Sequence, residues 1–281
     1  LTQIKSLIFG NMLISNAFCV YGGIVANDVI ARERLKSKAL QIAATLKVEG
    51  VEFRSSPADL PSCEPTKRLY VTFRQQIAPD ADANMKAIPR KQRAMVRKAM
   101  TNGLTAEIDD DVSRLHNIYA HSVRNLGTPV FSQRYFRILR EEFGDACDVV
   151  TVLVGNRAIA SVLNFYFRDE VLPYYGGGLP EARVLAGNDF MYWEVMRRAC
   201  NRGYRIFDFG RSKIGTGSYN FKCNWGFTPI PLSYEYCPLT SCKVRDVNPL
   251  NPKYRLAIDI WRRLPLSITK AIGPAIVRSI G

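Results

Sequence analysis

The sequence has few histidines, no paired cysteines and no long apolar segment, and each scarcity excludes a class of protein. Only two histidines occur in 281 residues, His116 and His121, and their spacing does not place them on one helical face. The seven cysteines include no CxxC pair, so a metal site is not expected. No apolar run reaches the roughly eighteen residues that a membrane-spanning helix needs. These absences argue against histidine-centred catalysis, a zinc centre and an integral membrane protein.

The charge balance is strongly basic. Lys and Arg number 39 against 25 Asp and Glu, which gives a formal net charge of +14. A balance of this size favours anionic partners such as RNA, nucleotide phosphates or an anionic membrane surface, although a solvated basic surface remains the alternative. An odd number of cysteines in a chain long enough to fold without disulfides is typical of reduced thiols. We therefore expect a cytoplasmic protein.

Hydrophobic periodicity predicts an alternation of helices and strands. Helices are predicted over residues 28–46, 86–98, 109–126, 132–143, 189–201 and 218–224, with Ser132 and Asn188 as N-caps. Strands are predicted near the N-terminus and over residues 51–54, 69–73, 104–108, 148–154, 158–167, 171–175, 204–209 and 227–236. This order predicts an α+β fold, in which a mixed, largely antiparallel sheet is flanked by helices.

Three neighbouring stretches carry a family resemblance. They are residues 207–212 (FDFGRS), residues 217–222 (GSYNFK) and Trp225-Gly226-Phe227. Together they resemble the signature of FemAB-like proteins, in particular the branch associated with PEP-CTERM/exosortase exopolysaccharide systems. Tyr21-Gly22-Gly23 and the basic stretch around Arg93 agree with that branch, so the resemblance covers nearly the whole chain.

The resemblance implies an architecture and a reaction. The order of elements after residue 104 is that of a GNAT acyltransferase domain, and the family implies two such domains in tandem. We expect residues 1–66 to be the remainder of a truncated first domain, residues 67–240 a second domain, and residues 241–281 a helical tail. The family implies transfer of an acyl or aminoacyl group to an amine of a cell-envelope or exopolysaccharide precursor.

Aminolysis of an activated ester requires three things from a protein. The amine must lose a proton, the oxyanion must be stabilised and the reactants must be held together. Lys222 is a candidate for holding a phosphate or a developing oxyanion, and Tyr219 for donating a hydrogen bond or relaying a proton. Asp208 is the third catalytic candidate. The alternatives are a solvated helix face for Lys222 and a salt bridge between Asp208 and Arg211.

Six further residues are candidates for binding substrate. Arg211 follows a glycine at a strand end, where a guanidinium can grip a phosphate or carboxylate at two points. The other five are Ser212, Gly217, Asn188, Tyr175 and Arg93. Tyr175 would line an acceptor groove, with a plain sheet position as its alternative. Arg93 lies in the basic stretch, which is the best RNA or phosphate candidate unless it is a solvated face.

The acyl donor stays open between aminoacyl-tRNA and acyl-CoA, as a co-substrate and not a tightly bound cofactor. In a CoA-dependent domain a Q/R-x-x-G-x-G/A loop at a helix N-terminus holds the pyrophosphate. Residues 183–188 miss that pattern, and the glycines at 176–178 are interpreted as a groove floor or a β-bulge. The mismatch also supports an alternative function, a non-catalytic module that binds a sugar nucleotide or a lipid-linked glycan.

The C-terminal stretch combines basic and apolar residues. From residue 243 onward there are eight basic residues and two acids, interleaved with aliphatic side chains and Trp261. This composition suits an amphipathic segment at an anionic membrane surface. The alternative is a set of short helices packed back on the first domain. The expected partners are therefore an anionic small molecule or lipid-linked glycan as substrate, with tRNA and the inner membrane face as further candidates.

Overall fold

The computed structural model describes residues 1–6, 10–55, 69–239 and 254–280, and these form three sheets with helices around them. The strands are β1 (Thr2–Ser6), β2 (Gly10–Ile14), β3 (Gly50–Ser55), β4 (Tyr70–Thr72), β5 (Arg74–Gln76), β6 (Leu104–Ile108), β7 (Cys147–Val154), β8 (Arg157–Phe167), β9 (Glu170–Gly178), β10 (Ile206–Asp208), β11 (Ser212–Lys213), β12 (Ile230–Pro231) and β13 (Ser233–Pro238). The helices are α1 (Val29–Thr45), α2 (Ala81–Ala87), α3 (Arg90–Thr101), α4 (Ser113–Leu126), α5 (Gln133–Phe143), α6 (Pro180–Val184), α7 (Gly187–Asn201), α8 (Gly217–Asn224), α9 (Arg255–Arg263) and α10 (Leu266–Val277).

The largest sheet has six strands in the order β5-β10-β9-β8-β7-β6. Strands β6 to β9 are antiparallel neighbours, whereas β10 runs parallel to β9. Both faces are covered, and adjacent residues of β7 show this. Val150 lies in the core cluster that contains α3 and α7, while Val149 lies in the cluster that contains α4 and α5. The predicted α+β fold is confirmed.

Strands β9 and β10 pair over only two positions and then separate. Ile206 faces Glu170 and Phe207 faces Val171, and no later residue of β10 pairs with β9 in the described sheet. A register shift opposite Leu163 and Asn164 leaves Tyr174 as the extra residue of β9. An opening therefore lies between the later part of β9 and the segment that follows β10.

The glycines at 176–178 are explained by close packing of helices on β9. A Cβ on Gly177 would lie 2.7 Å from the Cβ of Ser122 in α4, and one on Gly178 would lie 2.3 Å from Oδ1 of Asn188 in α7. A β-bulge is one of the two interpretations of these glycines from the sequence. Strand β9 does have an irregularity, but it lies at Tyr174 and not at residues 176–178.

The two smaller sheets connect the ends of the chain. One has the order β1-β2-β3-β13 and the other the order β11-β4-β12. The last strand, predicted over residues 227–236 and broken by Pro229 and Pro231, is two separate strands that pair in different sheets. Its residues form β12, which pairs with β4, and β13, which pairs with β3. Pro231 ends β12, since proline has no N–H to continue the ladder.

Two predicted helices differ at their N-terminal ends. The basic helix predicted over residues 86–98 is two helices, α2 and α3, separated by Ile88 and Pro89. Proline favours the first turn of a new helix over the interior of an existing one. The helix predicted to start at Asp109 starts at Ser113. Asp109 is instead buried, and it accepts hydrogen bonds from Arg114 and from Thr151.

The tail forms short helices that pack back on the protein, as the alternative expected, but they pack on α4 of the predicted second domain and not on the first domain. Nε1 of Trp261 in α9 donates to the carbonyl of Thr128 at 3.2 Å, and Nζ of Lys270 in α10 donates to Oδ1 of Asn117 at 2.8 Å. The tail residues from 240 to 253 lie outside the described part of the chain.

Three expectations from composition can be compared with the fold, namely reduced cysteines, no membrane-spanning helix and no metal site. The cysteines in the described ranges, Cys19, Cys147, Cys200, Cys223 and Cys237, are free thiols, while Cys63 and Cys242 fall outside those ranges. Within the described residues, no helix has the length and apolar character needed to cross a bilayer, and no cluster of potential metal ligands occurs.

Candidate active site

A buried aspartate organises the loop that follows β10. Asp208 is 0% exposed and lies between Phe207 and Phe209, which are both core residues. Its Oδ1 accepts hydrogen bonds from the backbone N–H of Gly210 at 2.7 Å and from Oγ1 of Thr72 at 3.0 Å. Gly210 has φ of +69°, a conformation that glycine adopts without the Cβ penalty. The carboxylate therefore fixes a sharp turn at the end of the strand.

A hydroxyl from the N-terminal part of the chain completes this network. The hydroxyl of Tyr21 donates to Oδ2 of Asp208 at 2.8 Å and lies 2.9 Å from Oγ1 of Thr72. Burial raises the pKa of Asp208, whereas its hydrogen bonds from Gly210, Tyr21 and Thr72 act in the opposite direction. Asp208 is thus held by three donors, and its role in this arrangement is to position the loop.

Lys222 closes the same loop from the other side. It lies on α8, whose N-cap Thr216 accepts from the N–H of Tyr219 at 3.4 Å. The Nζ atom of Lys222 donates to the carbonyls of Gly210 at 2.9 Å and Arg211 at 3.1 Å, and it lies 5.6 Å from the ring centroid of Phe73. The side chain is only 7% exposed, so the predicted alternative of a solvated helix face is wrong.

The environment of Lys222 destabilises its charged form. Burial lowers the pKa of Lys222 to about 7, Asp208 acts against this shift and Arg211 adds to it. The neutral amine has two N–H groups, and both are matched by the carbonyls of Gly210 and Arg211. Its lone pair is then free to accept a proton.

Arg211 is held by aromatic rings and not by a carboxylate. Its guanidinium carbon lies 4.8 Å from the ring centroid of Tyr70 and 5.8 Å from that of Tyr234, and Nη1 donates to the Tyr234 hydroxyl at 3.3 Å. Among the described residues, no acidic side chain forms an ion pair with it, so the salt bridge to Asp208 is not formed. Arg54 lies over the same Tyr234 ring at 5.7 Å. Two cations therefore share one aromatic side chain.

The segment after β2 crosses the opening between β9 and β10. The backbone N–H of Val20 donates to the hydroxyl of Tyr174 at 2.9 Å, and that hydroxyl donates to the carbonyl of Phe18 at 3.3 Å. The Tyr234 hydroxyl donates to the carbonyl of Val20 at 2.6 Å. Residues from both ends of the chain therefore build the surroundings of Arg211.

Three other predicted residues lie beside this cluster in sequence and structure. Tyr219 packs its ring against Phe73, with centroids 5.5 Å apart. Ser212 pairs with Val71 and is buried, and its hydroxyl has no hydrogen-bond partner within the described residues. Gly217 begins α8, and a Cβ built there would meet nothing within 4 Å.

The remaining three predicted residues have other surroundings. Asn188 is not the N-cap of α7, because the helix begins at Gly187 and its N-cap is Ala186, with φ of 60°. The hydroxyl of Tyr175 is hydrogen-bonded to that of Tyr135 at 2.9 Å, inside an aromatic cluster between α4, α5 and β9. Arg93 donates to the carbonyl of Lys86 at 3.0 Å and so caps the end of α2.

Sequence reasoning did not single out Tyr21, Thr72 or Tyr234 as functional. Tyr21 lies in one of the stretches that agree with the family resemblance, which gives it no role of its own. Thr72 is a polar residue at a buried strand position, and a buried polar residue usually indicates a hydrogen-bond network. Tyr234 gave no signal, since one tyrosine in an alternating strand is ordinary.

Comparison with known proteins identifies the fold. Residues 86–223 match the family model described as an acetyltransferase (GNAT) domain, so the chain contains a GNAT domain. A crystal structure of FemX is similar over 88% of this chain and 83% of that one, at 14% identity and a TM-score of 0.62. L-PGS from Bacillus licheniformis is similar over 99% of this chain and 85% of that one, at 11% identity and a TM-score of 0.54.

A third similar structure comes from Agrobacterium fabrum. It is assigned as the C-terminal domain of a lysylphosphatidylglycerol synthetase, and the match covers 75% of this chain and 74% of that one, at 16% identity and a TM-score of 0.55. At these identities the likeness shows the fold. None of the curated protein sequences compared with the chain matches it.

Proposed function

We propose that this chain, whose residues 86–223 form a GNAT domain, transfers an acyl or aminoacyl group to an amine as a FemAB-like enzyme. The acceptor we propose is an amine-bearing precursor of the cell envelope or of exopolysaccharide, as the PEP-CTERM branch implies. One observation carries the proposal. Lys222 is a buried amine whose pKa is lowered to about 7, and from α8 it donates hydrogen bonds to the loop that Asp208 fixes. A group of this kind is suited to proton exchange near neutral pH.

In the proposed reaction the acceptor amine attacks the carbonyl carbon of the donor ester or thioester. A C–N bond forms, the C–O or C–S bond breaks, and the lone pair of Lys222 takes the proton that the amine nitrogen must lose. Lys222 then gives that proton to the leaving oxygen or sulfur, so the products are an amide and a free hydroxyl or thiol and Lys222 is again an amine. The rate would come largely from holding the two reactants together and from this proton transfer.

The surroundings of Arg211 support an anionic acceptor. A half-buried guanidinium without a carboxylate partner gains by binding a phosphate or carboxylate, to which it can donate two parallel hydrogen bonds. Arg54 lies over the same Tyr234 ring, but it forms an ion pair with Glu52 at 2.8 Å, so the support comes from Arg211. A precursor that bears a phosphate next to an amine-bearing sugar or peptide fits this arrangement. Action at the cytoplasmic face of the membrane is part of the proposal.

The start of α7 favours an aminoacyl ester over acyl-CoA as the donor. A Cβ on Gly187 would lie 3.1 Å from Cδ1 of Ile159 and 3.2 Å from Ala182, so packing already explains this glycine. The residue before it, Ala186, is buried. We therefore expect calorimetric titration with CoA to give weak or no binding. Micromolar binding that is lost on substituting Gly187 would contradict this part of the proposal.

The decisive experiment supplies the full chain with labelled aminoacyl-tRNA or labelled acetyl-CoA, together with amino-sugar and peptide acceptors. Transfer of label should occur, and it should be lost in Lys222→Ala and Arg211→Ala. Lys38→Ala and Arg205→Ala each remove an exposed cation outside the candidate site and the basic stretch, and both should retain it. Absence of transfer with every donor, with glycan-phosphate binding that Arg211→Ala abolishes, would favour the alternative of a non-catalytic binding module.

A further inference from the structure

The C-terminal helix α10 is more apolar on its exposed side than on its buried side. The residues that it buries against the rest of the protein are Thr269, Gly273 and Val277, of which Val277 is the one aliphatic side chain. A Cβ on Gly273 would lie 3.0 Å from the carbonyl oxygen of Val130, which shows how closely that side packs. About 100° around the helix from Thr269 and Gly273, Ile268 and Ile272 are each 43% exposed. A helix that serves only the core would show the reverse distribution.

Helix α9 also exposes apolar side chains, although the residue that it buries is apolar too. Trp261 is buried and hydrogen-bonded to the carbonyl of Thr128, whereas Leu256 is 73% and Ile260 is 53% exposed. Leu256 and Ile260 are four residues apart and therefore lie on one face of the helix. Both helices pack on α4, so their exposed faces point away from the same helix. We call the four side chains Leu256, Ile260, Ile268 and Ile272 the tail face.

The charges around the tail face are almost all positive. Four arginines of this stretch are exposed, namely Arg255, Arg262, Arg263 and Arg278. Asp259 is the single acidic residue between positions 254 and 280, and it lies 3.6 Å from Arg262 in an ion pair. Arg263 lies on the same side of α9 as Leu256 and Ile260, because the spacings of seven and three residues are helical repeats.

We propose that the tail face is a docking surface for an anionic lipid bilayer. Aliphatic side chains with arginines beside them match the acyl boundary and the phosphate headgroups of such a membrane. A second copy of this chain fits the face less well, since a two-fold contact would place the same arginines opposite one another. The docking would hold the protein at the membrane independently of which group it transfers.

Vesicle sedimentation with the full chain tests the proposal. The protein should sediment with vesicles that contain phosphatidylglycerol and not with vesicles of phosphatidylcholine alone, and raised salt should release it. Each exposed arginine should contribute about fivefold to the affinity, so Arg255→Gln/Arg263→Gln should weaken binding about 25-fold. Ile268→Ser/Ile272→Ser should weaken it at least about tenfold.

Matched controls separate this face from the rest of the surface. Arg90→Gln/Lys91→Gln removes two exposed cations of α3, and Phe167→Ser/Val184→Ser removes two apolar side chains that are 65% and 68% exposed. Both should bind like the parent, and circular dichroism should show all four double variants folded. Equal binding by tail-face and control variants, or no binding by the parent, would overturn the proposal. Self-association of the parent that Ile268→Ser/Ile272→Ser abolishes, without vesicle binding, would also overturn it.

Discussion

The hydroxyl of Tyr21 donates a 2.8 Å hydrogen bond to the carboxylate of Asp208, although 187 positions separate the two residues. This contact connects the segment after β2 to the loop that carries Arg211. Because Asp208 also accepts from the N–H of Gly210, a change at Tyr21 acts directly on the carboxylate that fixes the turn. The N-terminal part of the chain is therefore a structural component of the candidate site.

Replacing Tyr21 with Phe should destabilise the protein by about 1–3 kcal/mol, because it removes one donor from a buried carboxylate. Urea unfolding would measure the change. Tyr204→Phe, a change at a half-buried tyrosine that contacts Tyr166, is the control and should cost less. A Tyr21→Phe protein as stable as the parent would show that the hydrogen bond is not formed in solution.

The rate of transfer should rise with pH through about 7, where Lys222 changes from ammonium to amine. The reason is that only the amine can accept a proton from the attacking nitrogen. Initial rates at limiting substrate, measured across this range, would reveal the ionisation. Lys222→Arg keeps a cation but supplies no base at these pH values, so it should be inactive. A rate that instead falls as pH rises through about 7 would assign Lys222 to stabilising the oxyanion as an ammonium.

The free energy of unfolding should also depend on pH through the ionisation of Lys222. Its pKa is about 7 in the folded protein, and 10.5 is the ordinary value expected in the unfolded chain. Between these two pH values the unfolded chain therefore binds more protons than the folded protein does. Stability contributed by this residue should therefore increase as pH rises from about 7. Relative to Lys222→Met, the parent should gain up to about 1.4 kcal/mol per pH unit. Parallel pH profiles for the two proteins, measured by urea unfolding, would contradict the lowered pKa.

Substitution by alanine should change the free energy of unfolding at one glycine, Gly177, and leave it unchanged at another, Gly217. Gly177→Ala places a methyl group 2.7 Å from the Cβ of Ser122, and moving α4 away should cost about 1–3 kcal/mol. Gly217→Ala meets nothing within 4 Å and should leave the free energy of unfolding within about 0.5 kcal/mol of the parent. Loss of transfer in a stable Gly217→Ala protein would indicate that substrate lies against this residue. Equal stability of the two variants would show that α4 does not pack closely on β9.

The elements that could be predicted were those decided by local pattern. Strand β6 and the N-cap Ser132 follow from alternation and capping, and both agree with the structure. The start of α4 could not be predicted from the sequence. Asp109 has the character of a favourable first-turn acid, but its carboxylate accepts a hydrogen bond from Thr151 in the sheet, and the helix begins later. The same applies to Asn188, whose side chain lies against Gly178 while Ala186 takes the cap position.

In the candidate site, too, some residues are indicated by a local motif and others only by tertiary contacts. The motif marked Asp208, Arg211 and Lys222, and the structure brings these three onto one loop and the helix beside it. Their partners Tyr21 and Tyr234 come from distant parts of the chain, so no local pattern links them to the motif. A lowered pKa at Lys222 depends on burial, which a short helix of mixed polarity does not reveal.

The pairing of β13 with β3 has a consequence for synthesis on the ribosome. Ser55 of β3 is synthesised 178 residues before Ser233, its partner in β13. At elongation rates of roughly 5–20 residues per second, the delay is on the order of ten seconds or more. During that interval β3 presents unpaired backbone groups, which invite pairing with the wrong chain. Until β13 has been synthesised, this edge of β3 is therefore open to intermolecular strand addition.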